Sequence, residues 1–90
     1  MRRVEVIANH SVEDNLFDAL ARRGVASHHT LIPSVHGRGN SSPKKGDHIW
    51  PEENFVLIVY CEEQEATAIA DAVAEVKAEY PDEGIKVFAI

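Results

Sequence analysis

"NFVLIVYCEEQEATAIADAVAEVKAEYP", Asn54–Pro81, decides the fold. In its first eight residues, Asn54 leads into a continuous apolar run, Phe55–Cys61. That is the signature of a central strand covered on both faces, and it is far too short to cross a membrane. The rest changes period. Ile69, Val73, Val76 and Tyr80 recur at helical spacing, and the alanines between them favour a helix. Glu62, Glu63 and Glu65 suit the positive N-terminal end of that helix, and Pro81 stops it.

Working upstream, "RVEVIA" (Arg3–Ala8) alternates, with Val4, Val6 and Ala8 on one face, and reads as a strand. In "SVEDNLFDALARRG" (Ser11–Gly24), Val12, Leu16, Ala19 and Leu20 make a helical stripe. Ser11 is the expected N-cap, with Asp14 completing a capping box. Arg22 and Arg23 suit the C-terminal end, and Gly24 suits the left-handed position beyond it. "VASHHTLIPSV" (Val25–Val35) is expected to be a second strand, bent near Pro33 and at a sheet edge there. Downstream, "DEG" turns the chain, and "IKVFAI" (Ile85–Ile90) ends it as a strand with Ile85, Val87 and Ala89 on one face.

The order β-α-β-β-α-β predicts an α+β, ferredoxin-like domain with a four-stranded antiparallel sheet and both helices on one face. Ile7, Phe55, Leu57, Phe88 and Ile90 cannot all face those helices. No third layer is available in 90 residues, so self-association through the open sheet face is expected.

Composition narrows the function. Ninety residues make a single domain, residues 1–90. The net charge of −6 argues against nucleic-acid or anionic-membrane binding by the whole surface. No apolar run predicts membrane insertion, and "MRRVEVIANH" lacks the apolar core of a signal peptide. A single cysteine, Cys61, fits a reducing cytoplasm.

Against this acidic background residues 34–54, "SVHGRGNSSPKKGDHIWPEEN", stand out. Ser34–Lys45 carries Arg38, Lys44 and Lys45 and no acid. It is the one electropositive feature, so an anionic small molecule is expected there. In "HGRGN" two glycines one residue apart let backbone N–H groups approach a ligand, and Arg38 suits phosphate or carboxylate. It is neither a dinucleotide fingerprint nor a Walker A loop, and on spacing alone a flexible turn is the plainer reading. Trp50 precedes Pro51, and its side chain suits a subunit or partner contact. The histidines, His10, His28, His29, His36 and His48, have no zinc-motif spacing, and His28 and His29 on a strand would face opposite sides. His36 and His48, with Cys61, remain the candidate metal ligands. No motif places a nucleophile or a carboxylate pair, so no catalytic residue is expected.

Taken together, the chain resembles the PII-like signalling proteins, the superfamily that also holds the CutA-like trimers. "MRRVEVIANHSVEDNLFDALARRGV" is similar to the family's opening strand and helix. "SVHGRGN" resembles the Val-x-Gly-x-Gly start of its long T-loop. "FVLIVYCEEQEATAIADAVAEV" resembles the strand and helix that follow, and "PDEGIKVFAI" the B-loop and closing strand. The resemblance implies a homotrimer with sheets facing inward and a ligand cleft between subunits at the base of a T-loop spanning 36–54. It implies an adenine nucleotide such as ATP or ADP as small-molecule effector, with a membrane transporter or regulatory protein as target. Carried over by position, Gly37 and Gly39 match the loop-opening glycines, Asp82 and Gly84 fall in the B-loop, and Lys86 lies two residues beyond the family's lysine. Arg38 joins them as a ligand contact, and Lys44, Lys45 and Trp50 face the partner.

Three departures predict a divergent member rather than an ATP/2-oxoglutarate sensor. The loop is shorter and has no Tyr to modify, the B-loop run is reduced to "YPDEGIK", and no phosphate-clamping arginines follow Ile90. The CutA-like relatives leave a divalent metal as the alternative ligand.

Overall fold

The computed structural model describes residues 1–37 and 52–90. The elements are β1 (Arg2–Asn9), a 3-10 turn (His10–Val12), α1 (Glu13–Arg22), β2 (Thr30–Gly37), β3 (Glu52–Cys61), α2 (Glu63–Glu79) and β4 (Ile85–Ala89). The sheet order is β2-β3-β1-β4, with every neighbouring pair antiparallel. This is the ferredoxin-like α+β arrangement expected from the order of periodicities.

Register assigns the faces. Val4, Val6 and Ala8 of β1 pair with Val59, Leu57 and Phe55 of β3, and with Ala89, Val87 and Ile85 of β4. Directly opposed residues share a face. That face packs on Leu16, Ala19 and Leu20 of α1 and on Ala66, Ile69, Ala72, Val73 and Val76 of α2, making one core. Phe55 and Leu57 are fully buried there, so of the five residues weighed for the open face only Ile7, Phe88 and Ile90 remain outside the helix layer. Phe17 stacks on Phe55 with ring centroids 6.3 Å apart.

The other face carries Ile7, Ile32, Val56, Ile58, Tyr60 and Phe88. Val56 and Ile58 are half-buried and Tyr60 is exposed. Thus β3 is central, but among the described residues only one of its faces is covered by helices. The apolar run anticipated a second cover that the described residues do not supply.

Pro33 sits in β2, an edge strand, and the β2–β3 register shifts between Ile32 and Val35. A residue without an N–H is tolerated at such a place. Two local expectations are corrected. First, β2 starts at Thr30, not Val25, because Gly24 and Ala26 both have left-handed backbone, φ +67° and +59°. The Ala26 N–H donates to Glu65 Oε2 at 2.8 Å, which anchors this turn to α2. His28 and His29 therefore lie in the turn rather than on opposite faces of a strand. His29 Nδ1 bonds the Ala26 carbonyl at 2.8 Å, and its ring packs on Phe17.

Second, Ser11 is not the helix N-cap. Asn9 caps the 3-10 turn through its Oδ1, which accepts from Ser11 N–H at 2.9 Å. No Asp14 capping box forms, since α1 starts from Val12 with no side-chain cap.

Candidate functional site

Antiparallel alternation brings the C-terminal ends of β1 and β2 to the same sheet end as the N-terminal ends of β3 and β4. Across that end Val35 opposes Asn54, Asn54 opposes Asn9, and the Asn9 N–H donates to the Gly84 carbonyl at 2.9 Å. The glycine before the basic segment and the turn before β4 are thus tied into one row, although the sequence separates them.

Gly37 ends β2 opposite Glu52. A Cβ built there would lie 2.9 Å from Nδ2 of buried Asn54. Close side-chain approach, not a positive φ, is what favours glycine here, since a Cβ would force the Asn54 amide to shift. His36 precedes it, exposed and paired with Glu53. Of the other candidates, Arg38, Gly39, Lys44, Lys45, His48 and Trp50 lie outside the described residues, as does the Trp50–Pro51 bond.

Asp82 and Gly84 lie in the turn between α2 and β4, both exposed. The Glu83 N–H donates to the Tyr80 carbonyl at 3.1 Å, and Ser11 Oγ donates to Glu83 Oε2 at 2.7 Å. Asn15 Nδ2 donates to the Tyr80 hydroxyl at 3.1 Å. His10 Nδ1 sits 3.1 Å from the buried Oε1 of Glu13, and its ring leans on Phe55. The turn is therefore held to the start of the helix layer before anything binds. Lys86 pairs with Ile7, so its side chain projects onto the open sheet face.

Asn9, Glu83 and Asn54 do not stand out in the sequence, where Ser11 reads only as a helix cap. The one signal available was the ladder register, which sets Asn54 against Asn9 once β1 and β3 are aligned on their apolar faces.

The metal candidates do not converge among the described residues. No group of three or more His, Cys, Asp or Glu side chains there is arranged to hold an ion. His36 lies at the loop-bearing end of the sheet, whereas Cys61 pairs with Arg2 at the opposite end of β3. Cys61 is buried, and burial is the largest of the influences that raise its thiol pKa, with Glu65 next. It is packing material rather than a soft ligand.

No curated protein matches this chain. Among solved structures, CPII from Thiomonas intermedia K12, bound to ADP and bicarbonate, superposes with TM-score 0.70 at 18% identity, covering 99% of this chain and 82% of its own. CPII bound to ADP, AMP and bicarbonate gives TM-score 0.72 at 16% identity, covering 99% and 86%. A candidate PII-like signaling protein from Thermus thermophilus gives 0.67 at 20% identity, covering 99% and 83%. At these identities the likeness is one of fold. The family model for nitrogen regulatory protein P-II matches residues 1–90, the whole chain. The strand order, the glycine-led segment between β2 and β3 and that match agree: the chain belongs to the nitrogen regulatory protein P-II family.

Proposed function

We propose that this protein is a trimeric signal-transduction regulator that binds a small anionic ligand, an adenine nucleotide, in clefts between subunits. Gly37, Arg38, Gly39, Asp82, Gly84 and Lys86 contact the ligand. The segment that leaves β2 at Gly37, with Lys44, Lys45 and Trp50, meets a target protein such as a transporter or regulator. It works by binding and has no catalytic role.

One observation carries the reading: Gly37 and the Gly84 turn share one sheet end, and Lys86 projects from there onto an apolar face that no described helix covers. Ile32 is 41% exposed, Phe88 46% and Tyr60 60%, too much apolar surface along one sheet for a lone subunit. Covering it with neighbouring copies would turn the sheet-end row into the rim of an inter-subunit cleft. The ADP, AMP and bicarbonate named with CPII support the ligand class.

The test pairs a mass measurement with calorimetry. Light scattering is expected to give three times the 10.0 kDa chain mass. Titration with ATP, ADP, AMP, cyclic AMP and bicarbonate is expected to yield heat with at least one nucleotide. No heat from any of them at millimolar concentration overturns the ligand assignment, and a monomer overturns the cleft.

A further inference from the structure

Glu83 stands among the proposed ligand contacts, with Gly84 and Lys86 on one side and Asp82 on the other. A carboxylate next to an anion site is a competitor for its cation. Glu83 and Lys86 are three residues apart, a chain span of at most about 10 Å, and both side chains are long enough to close that gap. Yet Lys86 makes no ion pair with any described carboxylate.

The reason lies in the faces. Lys86 opposes Ile7 and projects from the open face of the sheet. Glu83 is drawn the other way. Its Oε2 accepts from Ser11 Oγ at 2.7 Å, and Ser11 belongs to the 3-10 turn that leads into α1, on the helix side. The Ser11 N–H is fixed by Asn9 Oδ1, and the Asn9 N–H by the Gly84 carbonyl, so the corner that holds Glu83 is bonded to the same turn.

We infer that Ser11 is a positioning residue for anion binding: it keeps the Glu83 carboxylate on the helix side and so leaves the Lys86 ammonium for a phosphate on the open side. This rests on the proposed nucleotide site. Without Ser11, Glu83 is released to pair with Lys86, and an incoming phosphate must displace it.

The test is a double-mutant cycle in the full chain, read by calorimetry with AMP, ADP and adenosine. Ser11→Ala is expected to weaken ADP and AMP by about two- to fivefold, the scale of one solvent-screened ion pair, and to leave adenosine unchanged. Ser11→Thr keeps the hydroxyl and is expected to bind like the parent. In a Glu83→Gln background, where the competing charge is gone, Ser11→Ala is expected to have no effect on affinity. A purely structural role would weaken adenosine equally and would survive Glu83→Gln. Parent protein that binds nucleotide, with Ser11→Ala unchanged or not rescued by Glu83→Gln, overturns the inference alone. Parent protein that binds no nucleotide overturns the proposed site and this inference with it.

Discussion

Gly37 shows how a single residue type can be dictated by a partner far along the chain. Nothing in its own φ demands glycine. The demand comes from Asn54, whose Nδ2 would sit 2.9 Å from an added Cβ. Asn54 is only 8% exposed, so it has little room to retreat. Gly37→Ala is therefore expected to cost about 1–2 kcal/mol, the range of modest overpacking, measured by urea unfolding. In an Asn54→Ala background the same substitution is expected to cost clearly less, since the obstacle has gone. Equal cost in both backgrounds would show that the clash is not the cause. Gly24 is glycine for the opposite reason: nothing lies near its missing Cβ, and its φ of +67° is what favours it.

At the level of elements, the helices are joined by packing and by a polar clamp at the end of α1. Glu75 of α2 accepts from Arg22 at the end of α1, and from Arg23 at 3.0 Å. Those two bonds, Arg22 first, hold the Glu75 carboxyl below its ordinary value of 4.5. A depressed carboxylate contributes stability that is fully present above the unfolded-state pKa and is lost as pH falls through the folded one. Glu75→Gln is thus expected to lower the thermal midpoint slightly at pH 7 and to flatten the decline below about pH 4.5. An unchanged acid limb would remove the clamp as a contributor. Because the pair is solvent-exposed, the effect should also shrink in high salt.

At the scale of the whole molecule the decisive feature is the uncovered sheet face. Ile58 and Phe88 both flank Glu5 on that face, through the β1–β3 and β1–β4 pairings. A charge placed there leaves the helix-side core untouched. Phe88→Glu and Ile58→Glu are expected to shift the light-scattering mass toward that of one chain while far-ultraviolet circular dichroism keeps its helix signal. Retained assembly in both variants would mean that another surface joins the subunits. The same variants should lose nucleotide binding if the ligand needs two subunits. No helix among the described residues is long and apolar enough to cross a membrane.

Much of this protein was determined by sequence alone. The apolar run Phe55–Cys61, the stripes of α1 and α2 and the alternation of β1 follow from periodicity, which is a local property. Together they yield element order, sheet class and the placement of Pro33 on an edge. The stops were legible as well: Gly24 and Pro81 act through their own backbones. Only the tertiary structure decided the rest. Asn9, not Ser11, caps the first turn after β1: its Oδ1 accepts from the Ser11 N–H, and the Ser11 hydroxyl donates to Glu83 from the far end of the chain. Val25–His29 is a turn, not a strand, because Gly24 and Ala26 are left-handed, and Glu65 of α2 anchors that turn through the Ala26 N–H. Lys86 and Glu83 part to opposite faces because Ile7 and Ser11 lie on opposite sides of the sheet. Each of these involves a bond between residues distant in sequence. Such bonds exist only after the core has brought the strand ends together, and no local pattern encodes them.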